Sequence, residues 1–274
     1  MSLTEAQIAH YREHGWLAPI DVMSPDEARQ TREALEAAEA AFPEHLHAEN
    51  RNNAHHAFPF LAELAVDDRI VDVAEALVGP DIALWSTVLF AKAPRSGSFV
   101  SWHQDARYMG VVGDNHVTAW IALTSSTLES GCVSVLPGTH RDGAVEHEDT
   151  YGEDNILTRG QRVVGLDHIE PVHLILEPGQ MSLHHPWLVH GSQPNQTNHR
   201  RIGVAMQSYM GTGLEPQRGE HHVTHIRGGV VHEDFITVPA PTKACAPEGV
   251  ANRQGANDAF RDILYDGAEI RRDL

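Results

Sequence analysis

A histidine and an aspartate two residues apart can grip a divalent metal between them, and this chain carries four such triplets: His103/Asp105, His140/Asp142, His147/Asp149 and His232/Asp234. A pattern that recurs so often carries no weight by itself, and its surroundings must select among the copies. His103 and Asp105 fall in SFVSWHQD, a run that reads as a β-strand. In a strand, residues i and i+2 point to one face, so an imidazole and a carboxylate there aim at one point. The rivals lack that support. His140/Asp142 follows the turn Pro137-Gly138, His147/Asp149 lies in an acidic run that reads as a solvated face, and His232/Asp234 sits near the C-terminal tail.

A 2-His-1-carboxylate iron centre requires one more imidazole and leaves positions open for co-substrate and oxygen. The downstream stretch GQMSLHHPWLVHGS offers His184, His185 and His190. The adjacent His184 and His185 cannot both face one side of a strand, and Pro186 follows them; His190 ends an apolar run and precedes Gly191-Ser192. Spacing leaves the choice among the three open. Arg201, eleven residues beyond His190, enters the apolar run RIGVAM. A guanidinium there is costly unless a carboxylate meets it. A dicarboxylate such as 2-oxoglutarate would meet it in the bidentate manner that arginine favours.

These residues need elements to hold them. Residues 1 to about 80 read as a helical N-terminal layer, with Ser24-Pro25-Asp26-Glu27 as a helix start and Pro43 as a stop. Asp68 to Leu77 repeats apolar residues at helical spacing up to Gly79-Pro80. From residue 81 to 237 the pattern is strand-like: IALWSTVLFAK, SFVSWHQD, HVTAWIALTS, CVSVLPG, VHLILEPGQMSLHH, WLVHGS and RIGVAMQSYM. Asp142 to Leu166 reads as one long loop, and residues 238–274 as a loop followed by a short helix. One mainly β domain with flanking helices is expected, a sandwich or small barrel.

Composition narrows the partners. The 274 residues are 41% apolar with a net charge of −18, which disfavours a nucleic-acid surface. No apolar run approaches a membrane span, and two cysteines give no disulfide framework. The expected setting is a reducing cytoplasm, with a small-molecule substrate and a monomeric or homodimeric protein.

WHQD, the following AWIALT, the segment GCVSVLPGTHRDG, and HGS with an arginine eleven residues after its histidine resemble the phytanoyl-CoA dioxygenase family. The resemblance is anchored between about Leu84 and Tyr209. It implies a double-stranded β-helix, the cupin-like jelly roll, working with Fe(II), 2-oxoglutarate and O2. Carried over by residue, it implies His103, Asp105 and His190 as iron ligands. Arg201, assisted by Ser192 and flanked by Trp120, would hold 2-oxoglutarate. Related halogenases carry Ala or Gly at the carboxylate position, so Asp105 implies hydroxylation or another oxidation instead. The substrate is left undefined; the absence of a basic patch favours a free small molecule over a CoA thioester.

Four further residues are candidates for substrate contact. Arg107 shares the strand parity of His103 and Asp105, Tyr108 flanks them, and Asn155 and Arg159 lie in the long loop. Plainer readings hold elsewhere. His221, His222 and His225 read as a surface loop, His45, His47, His55 and His56 as solvent-exposed, and Lys92 as a solvated strand end. Two other classes are compatible with a jelly roll: a redox-inert metal protein, which has no need of Arg201 and Ser192, and a non-catalytic 2-oxoglutarate sensor.

Overall fold

Helix α1 (Glu5–His14) and helix α2 (Pro25–Ala41) both begin on a capping box. At α2 the Glu27 N–H donates to the Ser24 hydroxyl at 3.2 Å, and the Ser24 N–H donates to the Glu27 carboxylate at 2.7 Å. Each reciprocal pair satisfies N–H groups that a helix start leaves open. The computed structural model describes residues 2–47, 51–268 and 270–271. Two more helices follow, α3 (Pro59–Ala65) and α4 (Asp68–Val78), the latter capped by Asp67 and closed at Gly79. The first 80 residues are not wholly helical, however: strand β1 (Trp16–Asp21) lies between α1 and α2.

The β region runs through β2 (Ile82–Lys92), β3 (Val100–His103), β4 (Val111–Val112), β5 (His116–Ala122) and β6 (Val133–Val135). It continues with β7 (His147–Asp149), β8 (Gln161–Val163), β9 (Val172–Leu174), β10 (Gln180–His184) and β11 (His190–Ser192). Then come β12 (Arg201–Met210), β13 (Glu215–Pro216), β14 (His222–Arg227), β15 (Ile236–Thr237) and helix α5 (Pro247–Leu264). A seven-stranded sheet, ordered β1-β10-β5-β12-β2-β14-β15, packs on a four-stranded sheet, ordered β3-β11-β6-β9. Together they form a jelly-roll core.

Alternation along the strands assigns the faces. Val117, Ala119 and Ile121 of β5, Met181 and Leu183 of β10, and Ile202, Val204 and Met206 of β12 share one core with Ile70, Val71, Val73 and Ala74 of α4. The residues between them point the other way, into the space between the sheets, where Trp120, Ala122 and Ala205 meet Val133 and Val135 of the smaller sheet. The large sheet is thus buried on both faces, with one face spent on helices and the other left for the site.

Several local expectations are corrected. The segment 142–166 is not one loop, because β7 and β8 pair antiparallel within it. Helix α5 has 18 residues and begins inside the stretch that reads as a loop. His222 to Arg227 is strand β14, and His221 is buried. His55 and His56 are also buried, and the His55 ring bonds the hydroxyls of Thr87 and Thr224 at 2.8 and 3.0 Å. A polar side chain with two hydroxyl partners can enter a core, a pairing that no local pattern announces.

Candidate metal centre

β3 and β11 are antiparallel neighbours with His103 directly opposite His190, and the ring centroids are 4.2 Å apart. Both rings are fixed in the same sense. His103 Nδ1 lies 2.9 Å from the Ser101 carbonyl, and His190 Nδ1 lies 3.0 Å from the Leu188 carbonyl. A carbonyl only accepts, so Nδ1 carries the proton and Nε2 keeps its lone pair. The two Nε2 atoms face Asp105 Oδ1 at 3.4 and 3.8 Å. A metal-binding histidine is commonly oriented this way, with its second nitrogen donating to a fixed acceptor.

Asp105 does not belong to the strand. β3 ends at His103, and Asp105 opens a 3-10 turn that runs to Tyr108. The carboxylate reaches the histidines from that turn, which corrects the strand-parity reading at this residue. It is steadied from the opposite sheet: the Thr118 hydroxyl donates to Oδ2 at 3.1 Å and the Gln207 amide donates to Oδ1 at 3.3 Å. Burial works against its ionisation, but attraction to His190, the His103 contact and the Thr118 hydrogen bond together hold the carboxyl below its usual range. Burial, with His103 alongside, pushes His190 down to about 4, which leaves a neutral imidazole near neutral pH.

Among the described residues, His103, Asp105 and His190 form the one group of three whose ligand atoms lie within 4.8 Å of one another. Two imidazoles and a carboxylate, buried and with their ligand atoms converging, fit a divalent metal. The two competing histidines diverge as neighbours on a strand must. His184 faces the cavity with its Nε2 on the Ser182 hydroxyl at 2.9 Å, its ring 5.4 Å from that of His190. His185 turns away and lies 4.8 Å from the His140 ring.

A second feature lies beside the triad. Arg201 opens β12 and is only 1% exposed, yet among the described residues no carboxylate meets it. Its Nη1 donates weakly to the Phe90 carbonyl at 3.4 Å, its Nε has no partner, and the guanidinium lies 5.3 Å from the Trp120 ring. Burial pushes it down to about 10. Lys92, expected as a solvated strand end, is wholly buried and stands directly opposite Arg201 in the β2–β12 register. Its Nζ donates to the Ser192 hydroxyl at 2.7 Å and also to the Gln193 carbonyl. Burial and the nearby Arg201 push Lys92 down to about 6. A buried guanidinium without a counter-charge is destabilising, and Lys92 opposite it can be protonated only against like-charge repulsion. An anionic ligand with two or more acceptor oxygens relieves both. Gly203 makes room for this arrangement, because a Cβ there would stand 2.0 Å from the Trp120 ring.

The four substrate candidates separate. Tyr108 lines the cavity in front of the triad. Arg107 is exposed and outside that lining, since the 3-10 turn breaks the alternation that would have aimed it inward. Asn155 is buried behind the wall, where it donates to the Ser101 hydroxyl at 2.8 Å and accepts from the Leu157 N–H at 3.1 Å. Arg159 pairs with Asp149 and lies 5.4 Å from the Tyr108 ring, without lining the cavity. His147, read as solvated, is half-buried, and its Nε2 accepts from the Gln104 N–H at 3.3 Å. Sequence reasoning passed over Thr118 and Gln207. A signal existed: Thr118 shares strand parity with Trp120, and Gln207 with Arg201.

The profile of the family described as Phytanoyl-CoA dioxygenase (PhyH) matches residues 11–203. The peroxisomal phytanoyl-CoA dioxygenase of Rattus norvegicus is 32% identical over 50% of this chain and 42% of its own length. A probable alpha-ketoglutarate-dependent hypophosphite dioxygenase of Stutzerimonas stutzeri is 30% identical over 54% of this chain and 52% of its own. The chain thus spans about half the length of these curated relatives. A solved structure of the non-heme monooxygenase ThoJ, in its apo form, superposes with a TM-score of 0.84 at 26% identity, covering 95% of this chain and 98% of that one.

Proposed function

The chain belongs to the phytanoyl-CoA dioxygenase family, and from that premise we propose that it is a non-haem Fe(II)/2-oxoglutarate-dependent dioxygenase that hydroxylates a C–H bond of a small molecule. The overall change is R–H + O2 + 2-oxoglutarate → R–OH + succinate + CO2. The observation that carries this reading is the buried Arg201 guanidinium, without a carboxylate and with the Lys92 amine opposite it, beside a converging His–Asp–His set. A redox-inert metal protein has no use for that pair.

His103 and His190 offer their Nε2 lone pairs to iron, and Asp105 offers Oδ1. Arg201 receives the distal carboxylate of 2-oxoglutarate, Ser192 donates its hydroxyl to the same group, and Lys92 balances its charge. Trp120 walls that end against water, so the ion pair forms in a low dielectric where it is strong. Thr118 and Gln207 fix the carboxylate rotamer, so the metal is held by a preorganised set. Bound iron with 2-oxoglutarate and O2 supplies the oxidising power, and the protein supplies position and a dry cavity. No helix of the described residues is long and apolar enough to cross a membrane. A reducing compartment, where ferrous iron persists, suits the chemistry.

Succinate release is the test. Purified protein given Fe(II), ascorbate and 2-oxoglutarate should release succinate slowly under air and none under nitrogen, and should speed up with its substrate. Oxygen-independent binding of 2-oxoglutarate with no turnover, across a broad substrate screen, would favour a sensor instead.

A further inference from the structure

We propose that the cavity in front of the triad selects a neutral, predominantly apolar, ring-bearing substrate, and that the C-terminal helix α5 is the element that sets this preference. The proposal rests on the function proposed above, because it takes the triad as the reactive end of the cavity. Its apolar lining includes Trp85, Met109, Ile156, Leu157, Phe260 and Leu264. Phe260 and Leu264 come from α5, and the Phe260 ring meets Trp85 edge-on at 5.4 Å and 86°. Such an edge-to-face pair presents flat apolar surface to whatever enters.

The charged groups that line the cavity are few and mostly gathered at its reactive end. Asp105 faces the histidines, Arg201 faces the co-substrate end, and Arg51 donates to the Ile156 carbonyl. A phosphate-bearing or carboxylate-bearing substrate would leave water for a mostly apolar wall whose remaining cation, Arg51, is held on a backbone carbonyl, which is unfavourable. Apolar rings gain instead from every atom they bury. Acyl-CoA thioesters and small inorganic oxyanions therefore fit this cavity poorly, although names among the relatives mention both.

The wall is also held in place. The Arg253 Nε donates to the Asn52 carbonyl at 2.8 Å, Asn53 donates to Asn257 at 3.0 Å, and Arg159 donates to the Leu264 carbonyl at 2.6 Å. These contacts tie α5 to the segment between α2 and α3 and to the β7–β8 hairpin. Helix α5 lies beyond the residues 11–203 that the family profile matches, so this wall is not part of the shared core.

The test uses the whole 274-residue chain loaded with Zn(II) and 2-oxoglutarate, so that nothing turns over. N-phenyl-1-naphthylamine, a neutral ring-bearing fluorophore, is titrated against it, and free CoA and hypophosphite are titrated by calorimetry. The expected result is saturable probe binding that is tighter than binding of either anion. Phe260→Asp should weaken the probe at least about tenfold, because a carboxylate in an apolar wall must be desolvated; Phe260→Leu should keep nearly all of it. Zn(II) and 2-oxoglutarate titrations on each variant check that the site is intact, and Leu264→Asn repeats the test if Phe260→Asp does not fold. Equal probe binding by wild type and the folded polar variant, or tighter binding of CoA or hypophosphite, would overturn the proposal. Loss of Zn(II) or 2-oxoglutarate binding in the wild type would instead count against the proposed function.

Discussion

His103 and His190 are poised by backbone carbonyls, and Asp105 by the Thr118 hydroxyl and Gln207 amide. His103→Ala, Asp105→Ala and His190→Ala should each abolish tight Fe(II) binding, whereas His185→Ala, facing away, should keep it; a metal titration by calorimetry decides. Thr118→Val removes only the support and should weaken the metal about 10–100-fold, the range seen for such outer partners. Arg201→Lys keeps the charge and loses the fork. A charge-assisted contact of about 1.5–3 kcal/mol corresponds to a rise in 2-oxoglutarate Kd of roughly 10–150-fold. Arg200→Lys should change little, because Arg200 turns to the other face and pairs with Glu39 at 2.8 Å; equal effects of the two substitutions would undo the assignment.

Lys92 makes a pH-dependent prediction at the same scale. Its amino group sits at about 6 in the fold, against 10.5 for an ordinary lysine, because it is buried beside Arg201. The unfolded chain therefore holds more protons between those two values, so this group makes the fold more stable as pH rises through that window. A bound dicarboxylate reverses the preference and draws a proton onto Lys92. Near pH 7, 2-oxoglutarate binding should be accompanied by net proton uptake, read from calorimetry in buffers of different ionisation heat, and Lys92→Met should remove that uptake.

At the scale of elements, each strand serves two cores by alternation, and a single misplaced atom on β12 shows how tightly. Gly203→Ala places a Cβ on the Trp120 indole. The ring must move, at a cost of about 1–3 kcal/mol of stability, as overpacked cores do. Because Trp120 flanks Arg201, 2-oxoglutarate affinity should fall with it. Ser24→Ala is the contrasting case. It removes one half of a capping box far from the site and should cost about 1 kcal/mol in thermal unfolding with unchanged 2-oxoglutarate affinity.

At the scale of the whole molecule, the triad joins parts that are otherwise separate. Its two histidines come from the smaller sheet and the Asp105 supports from the larger one. A metal that binds only this assembled arrangement stabilises both layers together. At 100 times its Kd the gain is about 2.7 kcal/mol, and chelation should lower Tm by the matching amount in wild type but not in His190→Ala. Had chelation left the wild-type Tm unchanged, the triad would not be a resident metal site.

What the sequence determined was whatever depends on neighbours along the chain. The α2 start at Ser24 and the run Arg201–Met210 as a strand follow from caps and alternation, which act over a few positions, whereas SWHQD was selected by a strand parity that ends at His103 and fails at Asp105. Arg201 was legible because a charge inside an apolar strand is locally anomalous. Tertiary structure alone decided the rest. Lys92 looked like a strand end until the β2–β12 register set it against Arg201, and His55 looked exposed until Thr87 and Thr224 closed on its ring. Arg107 was read inward by a strand alternation that ends two residues before Asp105. Helix α5 has no chemistry in its sequence, and its role comes from the contacts that lay Phe260 and Leu264 over the cavity. Pairings between distant segments are fixed by packing of the whole chain, and short-range pattern carries no record of them.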